Sequence, residues 1–124
     1  MKYEIHKTAA EEYLAVADEY YHKLSMEKDE TKKTALRVVA AQNYFYCTVN
    51  VIEAIFAKKQ NYHSYSHENR MNKILENQFL FTQEIVKLYD LVDRDLRNKV
   101  AYRGENGQKY KDIRALAKLL MGFM

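Results

Sequence analysis

The residues best equipped for chemistry lie between positions 93 and 104, in the run Asp93-Arg94-Asp95-Leu96-Arg97-Asn98-Lys99-Val100-Ala101-Tyr102-Arg103-Gly104. Arg94, Arg97, Lys99 and Arg103 supply cationic groups, Asn98 an amide and Tyr102 a phenol. A guanidinium fork holds a phosphate through two parallel hydrogen bonds, and a ring or amide beside it can stack on or bond a base. At helical spacing Arg94, Asn98 and Tyr102 share one ridge, with Arg97 beside it. A plainer account exists for the charges. Asp90 and Arg94, Asp93 and Arg97, and Asp95 and Lys99 are each four apart with the acid first, the order that stabilises a helix by about 0.2–0.5 kcal/mol per pair. That account leaves Asn98 and Tyr102 to be explained, and these can equally bond across a bundle or wedge between helices.

The elements that must position this cluster are helices. The 124-residue chain has no proline, and its three glycines fall at or after position 104, so strands joined by tight hairpins are not expected. Phe81, Ile85, Leu88, Val92, Leu96 and Val100 recur at steps of three or four and define one helical face. Tyr13, Val16, Ala17, Tyr20 and Leu24 predict the buried stripe of a first helix. Leu36, Val39, Asn43, Tyr46, Asn50 and Ala54, with a second row of Val38, Phe45, Val49, Ile52 and Phe56, predict a central helix buried on two faces. Ile113, Leu116, Ala117 and Leu120 mark the last one. Asp29 or Thr31 caps the second helix, Ser66 to Asn69 ends a loop in a helix cap, Asn77-Gln78 breaks a short helix from a long one, and Gly104 to Gly107 turns the chain again. The expected fold is all-α, an up-and-down bundle of four long helices plus one short helix, forming a single domain over residues 1–124.

Composition narrows the function classes. Apolar residues make up 48% of the chain, enough for one core. No apolar run approaches a membrane span, and no secretory h-region follows Met1, so a cytoplasmic protein without membrane attachment is expected. One cysteine, Cys47, excludes an internal disulfide and reads as a buried, inert thiol. A net charge of +3 permits nucleic-acid binding without announcing it, although residues 94–118 form a basic end. Phosphate-loop glycines are absent, which removes the nucleotide-hydrolase and dinucleotide folds, and no cofactor is implied. His63 and His67 are four apart beside Glu68 but lack further ligands at metal spacing, so no metal site is expected. A structural or solvent role is expected for both; a sharper reading makes His67 and Arg70, at the start of a short helix, part of a polar cleft facing Arg97. His6 and His22 read as surface residues, and Tyr62, Tyr65 and Tyr110 as exposed rings able to stack on bases.

Arg97-Asn98-Lys99-Val100-Ala101-Tyr102 resembles the signature of the HEPN superfamily, small helical nucleotide-binding domains of higher eukaryotes and prokaryotes. That signature is an Arg, then four to six residues of which the first is polar and often Asn, then a His. The early helix at Glu11-Glu12-Tyr13-Leu14 and the central helix ending in Asn50-Val51-Ile52-Glu53-Ala54 fit the same layout. The resemblance implies a homodimer that binds RNA or a nucleotide, in some cases as the partner of a minimal nucleotidyltransferase in a toxin–antitoxin pair. It also implies the alternative of a metal-independent endoribonuclease, in which Arg97 holds the phosphate and Asn98 positions it or the nucleophile. Arg94, Arg103, His67 and Arg70 would then add binding contacts. Tyr102 stands where the His is expected, and a phenol with a reference pKa near 10 is a poor base at neutral pH. A third reading makes the cluster a dimerisation module alone.

Overall fold

A computed structural model describes residues 2–124. Five helices account for most of them: α1 (Tyr3–Met26), α2 (Glu30–Gln60), α3 (His67–Glu76), α4 (Gln83–Leu91, running on as a π-helical segment Val92–Tyr102) and α5 (Gln108–Phe123). No strand occurs among the described residues, and a single 3-10 turn, Gln78–Leu80, separates α3 from α4. No described helix is long and apolar enough to cross a membrane.

Local chemistry sets the boundaries. Asp29 Oδ2 accepts from the Lys32 amide at 2.8 Å, Ser66 Oγ from that of Asn69 at 3.0 Å and Thr82 Oγ1 from that of Ile85 at 3.2 Å, so each of these side chains satisfies an amide that a helix start leaves open. Asn61, in the left-handed region at φ 48°, ends α2, and Gly104 at φ 72° ends the π-helical segment.

The residue pairs across the bundle fix its topology. Numbers run in opposite senses between α1 and α2 (His6 with Asn50, Asp18 with Tyr44) and between α2 and the π segment (Arg37 with Gly104, Gln42 with Ala101). They do so again between α1 and α5, where Asp18 meets Lys118 and Tyr21 meets Tyr110. The four long helices thus run up, down, up and down. α2 is the axle, burying Ala40, Ala41, Tyr44, Val51, Ile52 and Phe56 against every other long helix. Phe81, Ile85, Val92, Leu96 and Val100 form the buried stripe of α4, and Ile113, Leu116, Ala117 and Leu120 that of α5.

Three details depart from the pattern in the sequence. On α1, Tyr13 and Val16 are exposed, and the helix rests on His6, Ala10 and Ala17. Small alanines let α1 lie close to α2, while Tyr13 is left to pack at a tilt against Tyr46 on the surface (centroids 5.3 Å apart, planes at 57°). On α2 the row of Val39, Asn43, Tyr46 and Asn50 lies at the edge of the core, Tyr46 exposed and the other three half-buried, and both asparagines donate to carbonyls of their own helix (Val39 at 2.8 Å, Tyr46 at 2.9 Å). His6 is only 5% exposed, because its Nδ1 bonds Asn50 Oδ1 at 2.9 Å and its ring stacks on His63. Tyr110 is buried likewise.

Candidate functional site

Three elements converge on the ring of Phe45, which α2 presents toward α3 and the π segment of α4. The Arg97 guanidinium carbon lies 5.5 Å from the Phe45 centroid, and the His67 ring centroid lies 5.8 Å from it. Both polar groups also approach one carboxylate oxygen: Asp93 Oδ1 is 3.6 Å from His67 Nδ1 and 3.9 Å from Arg97 Nε. An imidazole and a guanidinium from different helices therefore share one aromatic floor and one counter-charge.

Each is held from behind. Ser66 caps α3 and so sets His67 on its first turn. Arg70, one turn on, donates from NH1 to His67 Nδ1 at 3.0 Å and from Nε to Glu53 Oε2 at 3.0 Å. The other oxygen of Glu53 accepts the Ser64 amide at 2.9 Å, tying the α2–α3 loop to the core. A neutral His67 that accepts at Nδ1 carries its proton on Nε2. Burial holds the imidazole below the usual histidine range, helped by the charges of Arg97 and Arg70 and opposed by Asp93. At neutral pH it is an uncharged imidazole beside a phosphate-binding type of side chain.

The π-helical backbone from Val92 to Tyr102 decides which residues reach this cleft. Bonds from i to i+5 widen the turn, yet residues four apart still share a face: Val92, Leu96 and Val100 are buried while Arg94, Asn98 and Tyr102 are exposed. Arg94, Asn98, Tyr102 and Arg103 all face solvent, Tyr102 at 60% exposure. No hydrogen bond or ion pair joins any of them to Arg97 among the described residues. The acid-first pairs do form, with Arg94 on Asp90 at 3.5 Å, Arg97 on Asp93 at 3.9 Å and Lys99 on Asp95 at 2.9 Å. The structure thus brings Arg97, His67 and Arg70 together and leaves Asn98 and Tyr102 on the outer face of the same segment. Neither Arg97 Nε nor Asp93 Oδ1 has a hydrogen-bond partner, although both atoms are buried.

Two members of the cleft escaped the pattern in the sequence. Glu53 carried a signal, a carboxylate amid Val51, Ile52, Ala54, Ile55 and Phe56 in the most apolar part of the chain. A charge there has to be paired. Asp93 looked like half of a helix pair and proves to face a second helix as well. Among the described residues no cluster of three or more His, Cys, Asp or Glu side chains could hold a metal ion. No family model, curated protein or solved structure matches the chain.

Proposed function

We propose that the chain is a HEPN-like protein that binds RNA or a nucleotide in the cleft between α3 and the π segment. Arg97 takes the phosphate there, Arg70 and His67 line the opposite wall, and Asn98, Tyr102, Arg94 and Arg103 offer contacts along the outer face. The observation that carries this reading is the placement of Arg97. Its guanidinium lies over Phe45 with a single carboxylate at a loose 3.9 Å, its buried Nε unpartnered. An oxyanion would give that group the close, charge-assisted bonds Asp93 does not. A homodimer and a small nucleotidyltransferase partner complete the proposal, and both rest on the resemblance of Arg97 to Tyr102 to the family signature.

The test is retention of single-stranded RNA and of mononucleotides by the purified protein in EDTA, beside Arg97→Ala. Retention weakened tenfold or more in the variant supports the reading; equal retention sinks it. Co-purification with a nucleotidyltransferase encoded beside the chain tests the pairing.

A second reading has its own observation. His67 is a neutral imidazole within reach of the same carboxylate as Arg97, and once Arg70 NH1 releases its Nδ1 it is the type of group that accepts a proton from a 2′-hydroxyl. Under this reading the chain is a metal-independent endoribonuclease whose base comes from α3 rather than from position 102. His67→Gln should then stop cleavage in EDTA while RNA retention persists, and Tyr102→Phe should leave cleavage intact. Loss of cleavage in Tyr102→Phe with none in His67→Gln would return the role to the phenol.

A further inference from the structure

At the α1–α5 side of the bundle lies a second polar constellation that the Arg97 cleft does not use. Tyr21, Tyr110, Lys111, Arg114 and Ala115 line a cavity of about 340 Å3. Tyr110, only 5% exposed, has a hydroxyl with no hydrogen-bond partner. Burial pushes this phenol up to about 12, with Arg114 and Arg37 pulling the other way, so it is a hydrogen-bond donor at any physiological pH. Arg37, buried on α2, donates from NH1 to Gly104 O at 2.8 Å but leaves its Nε unpartnered. Arg114 lies 4.1 Å above the Tyr21 ring and donates from Nε to Tyr44 Oη at 3.2 Å.

The nearby acid is already spoken for. Asp18 accepts from Tyr44 at 2.6 Å and from Lys118 at 2.7 Å, and its carboxyl sits below the usual range, those bonds outweighing the burial that raises it. Asp112 accepts from Gln108 at 2.7 Å. No carboxylate pairs with Arg37, Lys111 or Arg114 among the described residues. A buried hydroxyl without a partner is unfavourable, and an oxyanion in the cavity would offset that cost at Tyr110, with the Arg37 charge felt at the same phenol.

We propose that this cavity is a binding site for the phosphate group of a small phosphorylated molecule. The Tyr110 hydroxyl and Arg114 bond the phosphate, Lys111 closes on it from the rim, and Arg37 adds its charge from behind Tyr110. Three cations favour a dianion over a carboxylate. The volume falls at the lower end of the roughly 300–1,000 Å3 typical of small-ligand sites, with room beyond a bare anion. The site is independent of the Arg97 reading.

The experiment titrates the intact protein with inorganic phosphate at ionic strength held constant with chloride, followed by melting temperature and by amide shifts around Tyr110. A saturable rise in Tm of about 3 °C or more is expected. Tyr110→Phe keeps the ring and removes only the donor, and it should weaken the response at least tenfold. Lys111→Ala, an exposed change that leaves the packing alone, should weaken it about threefold, as expected for one rim charge. Arg97→Ala should leave the amide shifts around Tyr110 unchanged, since these report the cavity alone and not any phosphate held at the Arg97 cleft. Absence of a saturable rise overturns the proposal. An equal rise in wild type, Tyr110→Phe and Lys111→Ala also overturns it, since it would mark an adventitious ion only. Acetate matching phosphate would reassign the site to carboxylates and overturn the phosphate assignment.

Discussion

Arg70 Nε donates to Glu53 Oε2 at 3.0 Å in a pair whose side chains are 10% and 2% exposed. The pair joins the first turn of α3 to the core of α2, and through Arg70 NH1 it also fixes the ring of His67. The candidate cleft therefore depends on an ion pair buried beneath it. Desolvation consumes most of the Coulombic gain of such a pair, so its net worth is small, while loss of one partner strands the other charge in the core.

The first prediction follows from that asymmetry. Glu53→Gln or Arg70→Met alone should destabilise the protein by about 3–5 kcal/mol. Glu53→Gln with Arg70→Met, which removes both charges at similar volume, should cost clearly less than the sum of the single changes. Urea unfolding of the four proteins gives the coupling energy directly. Additive losses would show that the two side chains act separately.

His67 gives a pH dependence with a definite sign. Burial, then Arg97 and Arg70, hold its folded pKa below the reference value, so in acid the unfolded chain takes the proton first. Its contribution to stability is complete above about pH 6.5 and is lost as pH falls through the depressed folded value. The urea midpoint of the wild type should therefore decline more steeply below about pH 6.5 than that of His67→Gln, and the two should run parallel above it. An identical decline in both would place the titrating group elsewhere.

How much of this could be read from the sequence depends on the range of the interaction. Helix order and ends were legible, because caps such as Asp29 and Ser66 and the breaker Gly104 act within one turn. The α4 stripe was legible because its large side chains repeat at helical spacing against a single buried face. The α1 face was legible only in part. Ala17, Tyr20 and Leu24 pack on the core as the period implies, but Ala10 and the apolar side of His6 take the place given to Tyr13 and Val16, and alanine carries too little hydrophobicity to outweigh those two in a periodicity count. Within 93–104 the exposed ridge of Arg94, Asn98 and Tyr102 was legible at steps of four, whereas the change from α to π backbone beneath it was not. Nothing local in the sequence announces that change. The pairing of Glu53 with Arg70 lies between those extremes, since the buried charge is visible in the sequence and its partner is not.

Cys47 supplies a check on the core itself. The thiol is fully buried on α2, and burial pushes its pKa up to about 12. A thiolate is the reactive form, so a disulfide reagent should not modify the native protein on the timescale of minutes. In rising urea the extent of labelling should follow the unfolding curve measured by circular dichroism. Rapid labelling without urea would mean that α1 lifts from α2 far more easily than the rest of the bundle.

Gly104 is the narrowest point of the fold and gives the last prediction. It ends the π segment at φ 72°, its amide donates to Val100 O at 2.8 Å, and its carbonyl accepts from Arg37. A Cβ here would stand 2.7 Å from Thr34 Cγ2 and 3.2 Å from both Thr34 O and Val38 Cγ2. The threonine methyl can turn aside only by changing rotamer, and the backbone oxygen cannot move without α2. Gly104→Ala thus combines left-handed strain with a close approach, and should destabilise the protein by about 2–4 kcal/mol. Gly107→Ala is the control. Its φ of 79° with ψ −144° is a conformation that glycine alone adopts readily, but a Cβ there meets nothing within 4 Å, so the change carries backbone strain alone, about 1–3 kcal/mol. A larger loss at position 104 isolates the packing of the turn onto α2. Equal losses would mean that the turn does not rest on Thr34 and Val38, and that Arg37 is held by something other than the Gly104 carbonyl.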